Sequence, residues 1–179
     1  MFIKENGCLC GKIHKNPVDE IITGKGVINK LPEAVEKYKA TKAFVLSDKN
    51  TFKAAGEKVC ALLRKSGIDF TSHVLAGDMI EPDEKSVGSV FMHYDKTADI
   101  VIGVGSGVVN DISKIVANVS KNPYIIVATA PSMDGYASAT SSMSIDGLKV
   151  SLPSKCANVI IGDIDILKNA PLHMLKAGL

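Results

Sequence analysis

Two short segments of the chain carry residues suited to holding a nucleotide. In the first, the apolar run 100–104 is followed by Gly105-Ser106-Gly107 and then by Val108-Val109-Asn110-Asp111, which opens a predicted helix. In the second, the run 124–128 is followed by Thr129-Ala130-Pro131-Ser132-Met133-Asp134-Gly135-Tyr136. Glycines let the backbone approach a phosphate closely, and a helix start offers free N–H groups and a positive dipole end. The sequence therefore predicts that an anionic nucleotide binds at these two places.

The elements that must position these segments are strands of a parallel sheet. Both apolar runs are short, rich in β-branched residues and without alternation, which is typical of strands buried on both faces. The repeated order of strand and helix predicts an α/β fold with a Rossmann-like, doubly wound parallel sheet. Ligands of such sheets bind at the carboxyl ends of the strands, where both polar segments lie. Further strands are predicted at 20–23, 42–47, 69–76 (near an edge) and 158–161, with a hairpin of 142–145 and 148–152 around Asp146-Gly147.

Helices are predicted between these strands from their apolar spacing. The helix after Gly107 is expected to bury Ile112, Ile115, Val116 and Val119, with Asp111 and Lys114 on its other face. The remaining helices are predicted at 31–39, 51–65, 82–96 and 164–169, and another begins at 171. Leu172 and Leu175 give that last helix an apolar face with no polar tail after it, which predicts a piece of a longer protein.

The composition narrows the class of protein. A chain of 179 residues predicts one domain, and its 5% aromatic content without tryptophan favours α/β over a β-sandwich. The net charge is only +2 and no block of Lys and Arg residues is present, so the chain lacks the positive electrostatic field that would attract nucleic acid. No run approaches the ~20 apolar residues of a membrane span. The four cysteines do not resemble a secreted disulfide framework, and no signal peptide opens the chain, so a cytoplasmic location is expected.

Two candidate features have ordinary structural alternatives. Asp48 follows a predicted strand, where an acid can bind ribose hydroxyls, but Asp is equally suited to cap the next helix. The later glycine loop favours the cofactor role of Asp48. An acid in that role modestly favours NAD over NADP as the cofactor, because it repels a 2′-phosphate. Cys8, Cys10 and His14 give at most three metal ligands, whereas structural zinc usually has four, so residues 1–17 are interpreted as a surface arm. His73 and His93 have no evident ligand partners.

Segments 104–114 and 129–138 together resemble the NAD-binding domain of the iron-containing alcohol dehydrogenase and glycerol dehydrogenase superfamily. Segment 129–138 is most similar to its sn-glycerol-1-phosphate dehydrogenases. The Cys8-Leu9-Cys10-Gly11 segment through His14, and Leu148-Lys149-Val150-Ser151-Leu152-Pro153, match the bacterial branch. The resemblance covers essentially the whole chain but only the front half of a family member. It implies a dehydroquinate synthase-like N-terminal domain at 18–170, with the C-terminal helical domain absent apart from its start at 171–179.

The resemblance also implies a role for each matching position. Asp134 would contact the substrate, and the remaining residues would hold NAD or NADP: Asp48 at the adenosine ribose, Gly105, Ser106, Gly107, Val108, Val109, Asn110 and Asp111 around the pyrophosphate, and Thr129, Ala130, Pro131, Ser132 and Ser138 at the nicotinamide. Family members bind a divalent metal (zinc, nickel or iron) through one Asp and two His, all of which would lie beyond Leu179. His14, His73, His93 and His173 are not expected to replace them.

The reaction that the resemblance implies is the reduction of dihydroxyacetone phosphate to sn-glycerol 1-phosphate with NAD(P)H, a step of phospholipid metabolism. The substrate would be a small phosphorylated molecule, and the enzyme would be a homo-oligomer. The 179 residues alone are expected to bind dinucleotide without turnover. Two alternatives stay open: a glycerol or other polyol dehydrogenase of the same superfamily, and a stand-alone nucleotide-binding module. A dehydroquinate synthase fits less well, because its loop typically reads Gly-Gly-Gly and its segment differs at Ser-Met-Asp-Gly-Tyr.

Overall fold

The computed structural model describes residues 17–77 and 79–178. The segment with Cys8, Cys10 and His14 lies outside the described residues, so its interpretation as an arm stays a prediction. The fold is built on a six-stranded parallel sheet with the strand order β1-β8-β5-β4-β2-β3. Its strands are β1 (Glu20–Gly24), β2 (Lys42–Asp48), β3 (Asp69–Leu75), β4 (Ile100–Gly105), β5 (Tyr124–Ala128) and β8 (Val159–Asp163). The strands β6 (Thr140–Ile145) and β7 (Leu148–Pro153) form a separate antiparallel pair.

Helices cover both faces of the sheet, as the predicted doubly wound fold requires. They are α1 (Leu31–Glu36), α2 (Lys49–Thr51), α3 (Glu57–Lys65), α4 (Glu84–His93), α5 (Gly107–Ser120), α6 (Ile164–Leu167) and α7 (Leu172–Ala177). Successive strand residues point to opposite faces, so the sheet supports two cores. One core packs α1 and α3 against the sheet, and the other packs α4 and α5 against its opposite side. The α/β fold with a parallel sheet is therefore confirmed, and β3 lies at an edge as predicted.

The hairpin turn lies at Asp146-Gly147, as the sequence predicts. Asp146 and Gly147 both have positive φ, 50° and 77°. That pair of left-handed residues is the geometry of a type I′ turn, whose twist suits a two-residue hairpin. The hairpin lies beside α5, because Ser141 Oγ donates a hydrogen bond to the carbonyl oxygen of Asp111 at 3.1 Å. It therefore forms a side wall next to the carboxyl end of β4.

Several helix boundaries differ from the prediction, and α1 and α6 end earlier, at Glu36 and Leu167. Two of the differences have local reasons. The helix predicted from Thr51 begins at Lys49, because Asp48 caps it, and it passes through a π-helical turn at Phe52–Gly56 before α3. Gly56 fits this turn since a Cβ there would lie 2.6 Å from the Phe52 ring. The helix predicted to reach residue 96 ends at His93, because Tyr94 takes an extended conformation with φ −67° and ψ 125°.

The prediction for the faces of α5 was wrong at two positions. Ile112 and Val116 are buried as expected, but the side chain of Val119 is 61% exposed. Lys114, placed on the outer face by its charge, is 0% exposed. The physical reason is that this face of α5 packs against the chain at 135–140 and not against water, and carbonyl groups there accept the lysine's hydrogen bonds.

A buried carboxylate ties the last strand of the sheet to the first. Asp163, 1% exposed at the end of β8, accepts backbone N–H bonds from Gly26 and Ile28 at 3.1 Å and from Asp165 at 3.0 Å. These contacts fix the turn after β1 against the start of α6. The acceptor must be a carboxylate, since an amide would present one donor group to the same N–H groups.

We therefore expect Asp163→Asn to lower the free energy of unfolding by about 2–4 kcal/mol, because a buried N–H would lose its charged acceptor. The matched control is Asp165→Asn two residues later, where the lost group is a surface ion pair with Lys168 and the expected cost is below about 1 kcal/mol. Urea unfolding followed by circular dichroism measures both. Equal losses for the two variants would contradict the buried role.

No helix of the described residues is both long enough and apolar enough to cross a membrane.

Candidate functional site

The candidate site lies where the winding of the sheet reverses. Strands β2 and β4 are neighbours, with Ser47 paired to Val104, yet the chain leaves β2 toward β3 and leaves β4 toward β5. The connections therefore diverge at this point and leave a crevice at the strands' carboxyl ends. A groove of about 900 Å³ opens there.

The groove brings together residues from three of the predicted segments. Asp48 follows β2, Ser106 and Gly107 follow β4, and Thr129 follows β5. The predicted cofactor residues that line the groove are Asp48, Ser106, Gly107, Val108, Val109, Thr129, Ala130 and Ser132. Their convergence on one surface follows from the parallel sheet, since all these strands end at the same edge. Their roles in binding stay predictions.

The start of α5 faces the groove without a side-chain cap. Ser106 occupies the cap position but makes no capping hydrogen bond; its Oγ instead pairs with Ser132 Oγ at 2.7 Å, which joins the two loops. Gly107 has no atom within 4 Å of the position a Cβ would take, so the backbone there is open to a ligand. A fourteen-residue helix with uncapped N–H groups and an open glycine fits the pyrophosphate of a dinucleotide.

Asp48 caps the helix that follows β2, and its position also leaves room for the predicted cofactor role. Its Oδ1 accepts hydrogen bonds from the N–H groups of Asn50 at 2.7 Å and Thr51 at 2.9 Å, and Thr51 Oγ1 accepts from the Asp48 N–H at 3.0 Å. This reciprocal capping box confirms the helix-cap interpretation. The cap uses one carboxylate oxygen only, and Asp48 also lines the groove. The other oxygen is left for a ribose hydroxyl, a role that stays a prediction.

A second cavity of about 530 Å³ adjoins the groove and shares Gly107 and Met133 with it. Asp111, Asp134, Ser138, Thr140 and Ser142 supply its polar lining. Burial raises the pKa of the Asp111 carboxyl, although the Lys114 ammonium opposes that shift. Ser138 Oγ accepts a hydrogen bond from the Thr140 N–H at 3.1 Å. The cavity therefore offers carboxylates and hydroxyls, the groups that hold a small polyhydroxylated molecule.

Three predicted cofactor residues line neither space. Gly105 is buried at the end of β4, and a Cβ there would lie 2.4 Å from Val109 Cβ. Asn110 is buried and donates from Nδ2 to the Gly135 carbonyl at 3.3 Å, while its Oδ1 accepts from the Tyr124 hydroxyl at 3.1 Å. Pro131 is exposed, and its carbonyl oxygen would lie 1.7 Å from a Cβ on Gly178. Gly105 and Asn110 therefore support the walls of the site from behind.

The residues that form the far walls of the groove were not predicted from the sequence. One wall comes from the helix after Asp48 and contains Asn50, Thr51, Lys53 and Ala54; the other follows β8 and contains Asp165, Ile166, Asn169, Ala170, Pro171, His173 and Met174. The second wall carried a usable signal in the sequence, because the strand predicted at 158–161 belongs to the same parallel sheet and its carboxyl end must lie at the same edge. Lys53 carried none, since its position depends on the π-helical turn at Phe52–Gly56.

His73 and His93 do not form a metal site with their neighbours. His73 and His93 stack on each other with ring centroids 4.4 Å apart, and His93 Nδ1 lies 2.8 Å from the Ser89 carbonyl oxygen. Across residues 17–77 and 79–178, no three His, Cys, Asp or Glu side chains are grouped so that they could hold a metal ion. The described residues therefore do not fit a metal centre.

Comparison with known proteins gives a family that agrees with this geometry. A family model described as iron-containing alcohol dehydrogenase matches residues 22–171. Glycerol-1-phosphate dehydrogenase (NAD(P)⁺) of Halalkalibacterium halodurans is 31% identical over 175 residues, which are 96% of this chain and 44% of the relative. The protein of the same name from Bacillus subtilis is 32% identical over 165 residues, 90% of this chain and 42% of the relative. The chain thus spans less than half the length of these curated relatives.

Solved structures share the fold. Glycerol dehydrogenase from Schizosaccharomyces pombe superposes with a TM-score of 0.80 at 26% identity, covering 90% of this chain and 41% of that one. NADH-dependent butanol dehydrogenase A from Thermotoga maritima gives a TM-score of 0.78 at 21% identity, covering 92% and 47%, and shows the fold alone. The groove where the winding of the sheet reverses, the match of residues 22–171 to the family model and the similarity to the curated relatives lead to the same conclusion. The chain belongs to the iron-containing alcohol dehydrogenase family.

Proposed function

We propose that this chain forms the dinucleotide-binding part of an NAD(P)-dependent oxidoreductase that reduces dihydroxyacetone phosphate to sn-glycerol 1-phosphate. One observation carries the proposal: Asp48, the start of α5 and the residues Thr129, Ala130 and Ser132 line a single groove, and the cavity with Asp134 opens directly beside it. Support for the reaction comes from relatives named glycerol-1-phosphate dehydrogenase.

The proposed cofactor lies along the carboxyl ends of the strands. The N–H groups at the start of α5 hold its pyrophosphate, Asp48 holds the adenosine ribose, and the segment after β5 holds the nicotinamide end. When bound, the nicotinamide supplies the hydride for a carbonyl. Asp134 and Ser138 lie in the cavity next to that end, and we propose that they orient the triose and its hydroxyl group.

The described residues cover only part of what this reaction needs. No lysine or arginine is among the residues that line the second cavity, so we propose that the substrate phosphate is bound by residues outside the described chain. The same holds for a divalent metal (zinc, nickel or iron), since the described residues do not form a metal site.

A glycerol or polyol dehydrogenase is the second candidate. It is favoured by the lining of the cavity, whose carboxylates and hydroxyls suit an uncharged polyol better than an anion. It is also favoured by the similarity to the fission-yeast glycerol dehydrogenase. Assays of the full-length protein decide between the two candidates: preference for dihydroxyacetone phosphate over dihydroxyacetone supports the first, and the reverse supports the second.

The dinucleotide role is tested by calorimetric titration of the 179-residue chain with ADP, NADH and NADPH. We expect NADH to bind with a Kd between about 10 µM and 1 mM, since part of the enclosing surface is supplied elsewhere. ADP should bind more weakly, because it lacks the contacts after β5. No saturable binding of NADH up to about 10 mM would overturn the proposal.

A further inference from the structure

Lys114 is a fully buried lysine whose ammonium is bound mainly by backbone carbonyls. Its Nζ donates to the Gly135 carbonyl oxygen at 2.6 Å and to the Thr140 carbonyl oxygen at 3.0 Å. The nearest carboxylate, Asp111 Oδ1, is 3.8 Å away, beyond hydrogen-bond distance. Burial lowers the pKa of this ammonium, and the charge of Asp111 opposes the shift. An ammonium group is costly to bury, so these contacts need a reason beyond filling space.

The two carbonyls bracket one loop of the candidate site. Ser138 lies between Gly135 and Thr140, and Asp134 directly precedes Gly135. A single ammonium therefore holds both ends of the loop that carries Ser138 and adjoins Asp134. The same Gly135 carbonyl also accepts from Asn110 Nδ2 at 3.3 Å. Asn110 and Lys114 are four residues apart on α5 and so lie on the same face of the helix.

The other end of this face belongs to the cofactor groove. Helix α5 starts at Gly107, which lines both the groove and the second cavity. A displacement of the loop at 135–140 relative to α5 would therefore change the distance between the residues proposed to contact the cofactor's pyrophosphate and those proposed to contact its nicotinamide. A rigid side-chain link between the loop and α5 would keep that distance fixed.

We propose that Lys114 is a positioning residue that fixes the 135–140 loop to α5 and so sets the nicotinamide and substrate contacts relative to the pyrophosphate contacts. The proposal rests on the proposed dinucleotide function for its consequence, but the link itself is a property of the free chain. Lys114 lines neither the groove nor the second cavity. It acts through the carbonyls of Gly135 and Thr140, and thus on the positions of Asp134 and Ser138.

The first test compares Lys114→Met with Lys85→Met, which removes an exposed lysine of α4. Backbone hydrogen exchange should rise at least about tenfold for the amides of 136–141 in Lys114→Met and stay within about twofold in β4. NADH affinity should fall about tenfold while ADP affinity stays within about twofold, and Lys85→Met should change none of these. Faster exchange throughout the sheet, or an unchanged loop, would overturn the proposal.

A second measurement uses the unaltered chain, in case Lys114→Met does not fold. The buried ammonium should give a slowly exchanging ¹⁵N–¹H signal with couplings across hydrogen bonds to the carbonyl carbons of Gly135 and Thr140. That signal should shift when NADH is added and not when ADP is added. Equal shifts with both ligands, or no couplings, would refute the positioning role. If the unaltered chain binds neither ligand, the proposed function fails, whereas the couplings and the loop exchange still test the link.

Discussion

Gly105→Ala is expected to lower the free energy of unfolding by about 3 kcal/mol and to remove NADH binding from the folded fraction that remains. A Cβ on Gly105 would lie 2.4 Å from Val109 Cβ and within 2.9 Å of both its methyl groups. A change of rotamer cannot relieve the contact, because Cβ does not move with χ1. Helix α5 would have to shift away from β4, and the N–H groups proposed to hold the pyrophosphate would shift with it.

Gly107→Ala is the matched control two residues later. A Cβ there meets nothing within 4 Å, so stability should stay within about 0.5 kcal/mol of the starting protein. The double variant Gly105→Ala/Val109→Ala should recover less than half of the lost stability, because alanine keeps the Cβ that causes the nearest contact. Urea unfolding and NADH titration measure these effects. Similar stability of the two single glycine variants would show that the approach of α5 to β4 does not require Gly105.

The parallel sheet and the edge that carries the groove could be predicted because their signals are local. Non-alternating β-branched runs identify buried strands, and all parallel strands place their carboxyl ends at one edge. Asp48, Ser106 and Thr129 could thus be assigned to one surface from the sequence alone. The sequence could not separate the residues that face the groove from those that pack behind it. Gly105 and Asn110 belong to the same motif as Ser106 but are buried behind the groove.

The burial of Lys114 could not be predicted for a different reason. Helical periodicity assigns a charged residue to the solvent side, and the prediction fails only when distant groups solvate the charge. Those groups are carbonyls 21 and 26 residues further along the chain, brought to α5 by the loop and the hairpin that follow β5. The groove wall with Lys53 was missed in a similar way, because a π-helical turn shifts the register of the side chains after Asp48.

Asp48→Asn is expected to shift the preference for NADPH over NADH by about 30-fold or more. The carboxylate repels the 2′-phosphate of NADPH, so its removal should strengthen NADPH binding about tenfold. It should also weaken NADH binding a few-fold, because a neutral amide makes weaker hydrogen bonds to the ribose hydroxyls than a carboxylate does. Asparagine is as good a helix cap as aspartate, so the capping box and the stability of the helix should be retained. Calorimetric titration with both dinucleotides gives the ratio.

Two further variants separate charge at the groove from charge at a helix cap. Asp83→Asn changes an equivalent cap, where Asp83 Oδ1 accepts from the Ser86 N–H at 2.7 Å, at a residue that does not line the groove. It should leave both affinities unchanged. Lys53 lines the groove beside Asp48, so Lys53→Met should weaken NADPH about tenfold and leave NADH within twofold. If Asp48→Asn folds normally and the NADPH/NADH ratio stays within twofold, Asp48 is a helix cap only. The adenosine ribose must then be held by the opposite wall of the groove, which follows β8.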